Sequence, residues 1–399
     1  MSDWRRTTLG EVCRLKAGNA FPQSEQGRAS GYAPFIKVSD LGLAGNSSSI
    51  TEANNWVSEG QVTRLRLKLF PEGTSVFAKI GEGMRSERIR QLTVPTAIDN
   101  NLMAAVPKTG TDAGFLHYLL HTVRLASHAV GSALPYLRQS TLTDLPVTIP
   151  AHTEQQAIAA VLGVLDDKIA ANIALATTAR QTAHTEFLVR VRGISPRERR
   201  FADVAEISGG GTPSTKNPAY WNGEIPWATP TDITALAGPY IESTSRTLTE
   251  AGLSACSSKL FAPGAILMTS RATIGAMAIA QVPTAVNQGF IVVEPEHEEL
   301  RWWLFHEMQD RTDEFRSWAN GATFLELSRG SFKNLGVRLP EPAALRSFSE
   351  LASSLHDVAR ASLGENRTLA ATRDALLPRL MSGKLRVSDA ESRASAAGA

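Results

Sequence analysis

The chain is written twice. TLGEVCRLKAG (8–18) pairs with RFADVAEISGG (200–210), and PFIKVSDL (34–41) pairs with PWATPTDI (226–233). LFPEGTSVFAK (69–79) pairs with LFAPGAILMTS (260–270), and TAIDNNLMAAVP (96–107) with TAVNQGFIVVEP (284–295). GSALPYLRQSTLTDLPVTIP (131–150) pairs with GATFLELSRGSFKNLGVRLP (321–340). All five matches keep their order, with offsets from 188 (284 against 96) to 192 (226 against 34). Such a chain must fold as two copies of one module, each built in half of its 399 residues.

Each half has the same internal grammar. Short apolar runs broken by Gly, Pro and Asn come first: FIKV, SVFAKI, LMAAV, AILMTS and FIVV read as strands. A long segment of helical period follows. In the first half, Ile158, Leu162, Leu165, Ile169, Ile173, Ala176, Arg180, Ala183 and Phe187 recur at steps of three or four. Thr153 and Gln156 are spaced like a capping box at its start. In the second half, Leu345, Phe348, Ala352, Leu355, Ala359, Leu363, Asn366, Ala370, Arg373 and Leu377 form a similar stripe, and Gly383 marks its stop. Two such stripes make either two core helices or, as expected here, one antiparallel coiled coil.

The domain reading is therefore residues 1–150, a central helix over 151–192, a linker over 193–199, residues 200–342, a distal helix over 343–383 and a disordered tail over 384–399. The fold class is α+β: two similar globular domains joined and separated by two long antiparallel coiled-coil helices, with a pseudo-two-fold internal duplication. The paired Asp166 and Asp167 read as a solvated helix face, and His184 and His356 as solvated or satisfied helix residues.

Composition excludes several classes. At 43% hydrophobic and 20% charged residues the chain is an ordinary globular protein. No apolar run approaches the ~20 residues of a membrane span, and the start MSDWRRTTLGEV has no apolar signal core. Cys13 and Cys256 have no CxxC spacing, so neither a disulfide framework nor a zinc site is expected, and a cytoplasmic location fits. The net charge of +2 permits nucleic-acid binding without arguing for it.

One stretch imitates catalysis. GGGTPSTKNPAYWNGEIPWATPTDI (209–233) joins a triple glycine to Asn217-Pro218-Ala219-Tyr220, one residue from the Asn-Pro-Pro-Tyr site of amino-methyltransferases. A cofactor-binding glycine turn must open a helix. Pro213 and Pro218 forbid one here, so the stretch reads as a proline-pinned loop whose Trp221 and Trp227 pack a core. The chain shows no Walker loop, HExxH or GxSxG.

The recurring motifs resemble those of the specificity subunit of type I restriction–modification systems. GGGTPSTKNPAYWNGEIPWATPTDI is similar to the opening of that family's target-recognition domain, and TAVNQGF and TAIDNN to its internal motif. LPVTIPAHTEQQAIAAVLGVLDDKI resembles its central spacer helix, and ALLPRLMSGKL (375–385) the end of its distal helix. KAGNAFPQSEQGRASGY (16–32) stands in the first half where the GGTPS…NPAYW stretch would be. The resemblance implies a non-catalytic subunit with two target-recognition domains, each reading one half of a bipartite, asymmetric target in double-stranded DNA. It implies that the helices set the gap and dock methyltransferase subunits, two per chain. Those subunits would carry S-adenosylmethionine, none being held by this chain, and restriction/translocase subunits would complete the complex. The other readings are a self-contained DNA adenine methyltransferase and a duplicated coiled-coil interaction protein.

Base readout uses Arg or Lys for guanine and Asn or Gln for adenine, and phosphate contacts use further cations. Under this reading KIGEGMRSERIR (79–90) offers Lys79, Arg85, Arg88 and Arg90, and its counterpart SRATIGAM offers Arg271. YLRQST and LSRGSF offer Arg138 and Gln139, and Arg329 and Lys333. Lys216 and Asn217 complete the DNA-binding candidates, each a solvated surface residue otherwise. Asp40 and Asp232 occupy matching positions and either contact DNA or cap local turns.

Overall fold

A computed structural model describes residues 4–131, 134–195, 199–271, 273–319 and 325–387. The chain divides into two compact units, residues 1–174 with 364–399, and residues 175–363.

In unit 1 a five-stranded sheet runs in the order Cys13–Ala17, Leu102–Pro107, Ser75–Ala78, Ile89–Leu92, Ser49–Ile50. Its central strand Ser75–Ala78 is buried at all four positions, so the alternation that marks a half-exposed strand is missing there. Helix Ala113–Thr122 packs on this sheet. It starts where Asp112 Oδ1 accepts the Phe115 N–H at 2.8 Å, and Phe115, Leu116 and Leu119 enter the core. A smaller sheet joins Trp56–Val57, Ala33–Ile36, Thr96–Ile98 and Leu69–Phe70.

Unit 2 repeats this plan. Its five-stranded sheet runs Ala205–Ser208, Phe290–Pro295, Ile266–Thr269, Met277–Ala280, Tyr240–Ile241, and helix Leu300–Asp310 follows as Ala113–Thr122 does in unit 1. Register repeats as well as order. Leu102 faces Ala78 in unit 1 as Phe290 faces Thr269 in unit 2, and the parallel pair Phe35–Ala97 corresponds to Trp227–Ala285.

The matched sequence motifs are matched because the backbone needs them. A Cβ on Gly18 would lie 2.0 Å from the Ile98 carbonyl oxygen, and one on Gly210 would lie 1.9 Å from that of Val286. Asp99 Oδ1 accepts the Asn101 N–H at 2.8 Å, and Asn287 Oδ1 accepts the Gly289 N–H at 2.8 Å, the same side-chain turn in TAIDNN and TAVNQG. Asp40 accepts from Lys37 N and Asn54 N, and Asp232 from Thr229 N and Ser245 N. Both aspartates thus cap local turns, one of the two roles expected of them.

Two long helices, His152–Val191 and Pro342–Met381, complete the units. In unit 1 they run antiparallel, with Asp166 opposite Arg373 and Asn172 opposite Asn366. Ile158, Leu162, Leu380 and Met381 close the unit 1 core. In unit 2 Phe187 meets Phe348 edge to face at 6.1 Å, with Ala176, Ala183, Ala352 and Ala359 buried beside them. Burying one such aromatic contributes about 1.5–3 kcal/mol.

Three expectations change. The first helix starts before Thr153, and its start is held by Gln155, whose Nε2 donates to the Pro150 carbonyl at 3.0 Å; Thr153 already lies inside the first turn. Asp166 is not a solvated face: it is 5% exposed and accepts from the Tyr118 hydroxyl and from Arg373 Nη1, both at 2.7 Å, while Asp167 is exposed. Of the 384–399 segment, Leu385 and Val387 pack on the unit 1 core after the turn at Gly383 (φ +68°), and residues 388–399 lie outside the described residues. Among the described residues no helix is long and apolar enough to cross a membrane.

Arg373→Ala leaves the Asp166 carboxylate buried with only Tyr118. It is expected to cost about 2–3 kcal/mol, less than a fully buried pair because Arg373 keeps some solvent exposure. Urea unfolding measures this, and a loss below about 0.5 kcal/mol would contradict the assignment.

Candidate nucleic-acid interface

In each unit a strand of the large sheet ends at a segment that pairs with the approach to a short helix. In unit 1 Leu137 N donates to the Lys79 carbonyl at 2.8 Å and Ile80 bridges to Tyr136, just before helix Gln139–Thr143. In unit 2 Leu327 N donates to the Ser270 carbonyl at 3.0 Å and Arg271 bridges to Glu326, just before helix Arg329–Lys333. The site is thus one backbone platform, made twice.

The platform fixes which side chains correspond. Ile80 holds the position of Arg271, Arg138 that of Ser328, Gln139 that of Arg329, and Thr143 that of Lys333. Sequence alignment alone set Arg271 against the whole basic run 79–90, and the structure sets it against an isoleucine.

In unit 1 Lys79 is half-buried at the strand end, and Arg138 and Gln139 are exposed at the start of the short helix. Arg138 Nε donates to the Tyr136 hydroxyl at 3.1 Å, and its guanidinium lies 5.6 Å from that ring's centroid. Arg85 ends the short helix Gly81–Arg85 and Arg88 follows it, both exposed; Arg85 pairs with Glu82 at 2.9 Å. Arg90 is tied down instead: Nε donates to the Asn46 carbonyl and Nη1 to that of Ile89 at 2.9 Å.

In unit 2 Arg271, Arg329 and Lys333 converge. With Gly209, Gly210, Ser270, Gln288 and Ser328 they line a cleft of about 500 Å³. Glu326 lines it too, its Oε1 2.8 Å from Arg271 Nε, so the lining carries three cations and one carboxylate. Such a cleft accepts an anion or a base edge rich in acceptors. Gln288 was missed from sequence; its Oε1 accepts the Thr212 hydroxyl at 2.5 Å at the rim, and the recurring TAVNQG motif was the available signal.

In the stretch 209–233 no helix opens directly after the glycines. The chain leads instead to the single turn Pro218–Tyr220 and strand Trp221–Ala228. Asn217 is half-buried and its Oδ1 accepts the Ala219 N–H at 3.1 Å, capping that turn; Lys216 beside it is exposed. Trp221 and Trp227 are buried edge to face at 5.1 Å, as the loop reading expected, and the Arg246 guanidinium lies 3.4 Å over Trp221.

The chain thus holds two copies of one platform, each carrying its own side chains. Comparison with known proteins agrees. The family model for the type I restriction modification DNA specificity domain matches residues 1–176 and again residues 197–344, and the chain belongs to that family. It is 33% identical over 190 residues to the type I restriction enzyme MjaIX specificity subunit of Methanocaldococcus jannaschii, covering 46% of this chain and 44% of that one. It is 24% identical over 190 residues to the type I restriction enzyme HindI specificity subunit of Haemophilus influenzae, covering 47% and 41%. These matches span less than half the length of either relative. The crystal structure of the type I restriction–modification S subunit from M. genitalium shares the fold, with a TM-score of 0.58 over 95% of this chain and 96% of that one at 14% identity.

Asn217→Ala is expected to lower stability by about 1 kcal/mol through loss of a turn cap, and to leave partnered methyl transfer competent. Chemical denaturation and a methylation assay on bound DNA separate the two; abolished transfer on DNA that still binds would restore a catalytic role.

Proposed function

We propose that this chain is the DNA sequence-recognition subunit of a type I restriction–modification complex and itself makes or breaks no covalent bond. The observation that carries this reading is the repeated platform with unlike side chains. The strand order and register of the five-stranded sheets are the same in both units, yet Ile80, Arg138, Gln139 and Thr143 stand where Arg271, Ser328, Arg329 and Lys333 do. A scaffold kept while its display surface diverges is what two different half-sites require, because base identity is read by side-chain chemistry in the groove.

Under this reading unit 1 presents Lys79, Arg85, Arg88, Arg138 and Gln139 to one half of a bipartite target in double-stranded DNA. Unit 2 presents Arg271, Arg329, Lys333 and Lys216 to the other. Two methyltransferase subunits dock on the helices and domains, bring S-adenosylmethionine and flip the target adenine. A restriction/translocase subunit joins them, and the complex works in the cytoplasm. The net charge of +2 fits a chain whose partners supply much of the phosphate contact, so its own affinity is modest and steeply salt-dependent. The helices set the gap, with half-sites about one helical turn, ~34 Å, apart.

Mapping methylated adenines with and without the chain tests the reading. Methylation confined to one bipartite sequence and lost without the chain is expected; methylation by the purified chain alone would favour a self-contained enzyme. Arg271→Ala is expected to relax one base position in one half-site only, at a cost of about 1–3 kcal/mol. Equal relaxation in both half-sites would contradict reading by separate domains. Inserting seven residues after both 174 and 363 lengthens each helix by ~10 Å. The tolerated gap should widen by about three base pairs, and an unchanged gap would refute the ruler.

A further inference from the structure

Unit 2 contains a chain of hydrogen-bonded histidines that the DNA reading does not use. His184 lies on the first long helix, His306 on helix Leu300–Asp310, and His356 on the second long helix. His184 Nδ1 is 3.3 Å from His306 Nδ1, His306 Nε2 is 3.1 Å from His356 Nε2, and His356 Nδ1 is 2.7 Å from the Tyr240 hydroxyl. Trp302 stacks flat on His356 at 3.6 Å, and Phe187 and Phe305 enclose His306. His306 and His356 are each 1% exposed, whereas His184 is half-buried. All three histidines line a cavity of about 700 Å³ through which solvent reaches the His184 end.

Unit 1 fills the corresponding junction differently. There Tyr118 on helix Ala113–Thr122, Asp166 on the first long helix and Arg373 on the second form the buried network. Both junctions tie the recognition fold to the two helices, one through an ion pair and the other through imidazoles.

Proton counting distinguishes the states of the unit 2 chain. Its three gaps each hold one hydrogen. Neutral histidines with the tyrosine hydroxyl supply four, three in the gaps and one facing outward at an end. One added proton is accommodated by turning the outer hydrogens to both ends. A second has no place, since two hydrogens would meet in a gap of 3.1–3.3 Å. Charge on the chain is also opposed by burial.

We propose that this junction is a proton-sensitive coupling, closed while its histidines are neutral and parted by proton uptake, so that acid loosens the unit 2 recognition fold from its two helix segments. Burial pushes His306 down to about 3, with His184 adding to the effect, and His356 down to about 2, with His306 and Arg180 adding to it. Burial also lowers His184, opposed by the Asp310 carboxylate. The charged groups facing the chain are Arg180 from the first helix, Asp310 from the domain helix, and Asp357 and Arg360 from the second helix near Tyr240; Gln309 hydrogen-bonds His306. Because these pKa values lie below the unfolded value of about 6.5, the closed state is fully favoured above that pH and weakens as pH falls through it.

Hydrogen exchange on the full chain at pH 7.5 and 5.5, corrected for intrinsic rates, reads the opening. Each buried histidine exposed on opening raises the opening equilibrium about tenfold over this range, hence about a hundredfold in segment 342–363 for His306 and His356 together. His356→Gln removes one titrating group, and the pH ratio there should fall to about tenfold. A merely structural role would lower protection equally at both pH values and leave the ratio unchanged. Unit 1 has its own buried His117, so the variant and not the other unit is the reference. If His356→Gln does not fold, His306→Gln, which removes the other buried titrating group, gives the same comparison. An unchanged ratio in the folded variant, or pH-independent protection in the native chain, overturns the proposal.

Discussion

Neither half of the duplicated sequence can close a core by itself. Unit 1 needs Leu380 and Met381 from the end of the chain, and unit 2 needs Ala176, Ala183 and Phe187 from the helix that leaves the first half. The antiparallel return of the second helix is therefore the constraint on which both recognition folds rest. A first half cut off near residue 174 would expose the apolar side of Ile158 and Leu162 and strand the buried Asp166 without Arg373. This follows from burial: a helix stripe of one face has to find a second surface, and here each helix divides its stripe between two of them.

The duplicated modules separate two kinds of position. Where the backbone makes a demand, the halves agree: Gly18 and Gly210 abut a carbonyl, Asp99 and Asn287 make the same turn, Asp40 and Asp232 the same cap. Where the surface platform only displays a side chain, they part. An anion-accepting cleft of Arg271, Arg329 and Lys333 in unit 2 stands opposite Ile80, Gln139 and Thr143 in unit 1. Steric and hydrogen-bond requirements fix the first set, and no such requirement fixes the second.

Two polar breaks in the second helix's stripe have a common purpose, whereas Arg180 of the first reaches the Ala237 carbonyl. Arg373 reaches Asp166, and Asn366 bonds Asn172 and the Ile169 carbonyl, so the interruptions join the two helices at defined heights. Apolar alanine and leucine contacts tolerate sliding; a buried polar pair does not, because misalignment leaves its groups unpaired.

The amino-acid sequence by itself determined the duplication, the strand runs, the two helices and the proline-pinned loop at NPAY. These are local or repeated signals: period, proline position and self-similarity survive without knowing what touches what. It also located Arg271, Arg329 and Lys333, but as separate residues. Only the tertiary structure brought them into one cleft, committed Asn217 to a cap, buried Asp166, and joined His184, His306 and His356 across three helices. Those outcomes depend on contacts between residues up to 207 positions apart, and an acidic or imidazole side chain on a helix looks the same in sequence whether water or another helix faces it.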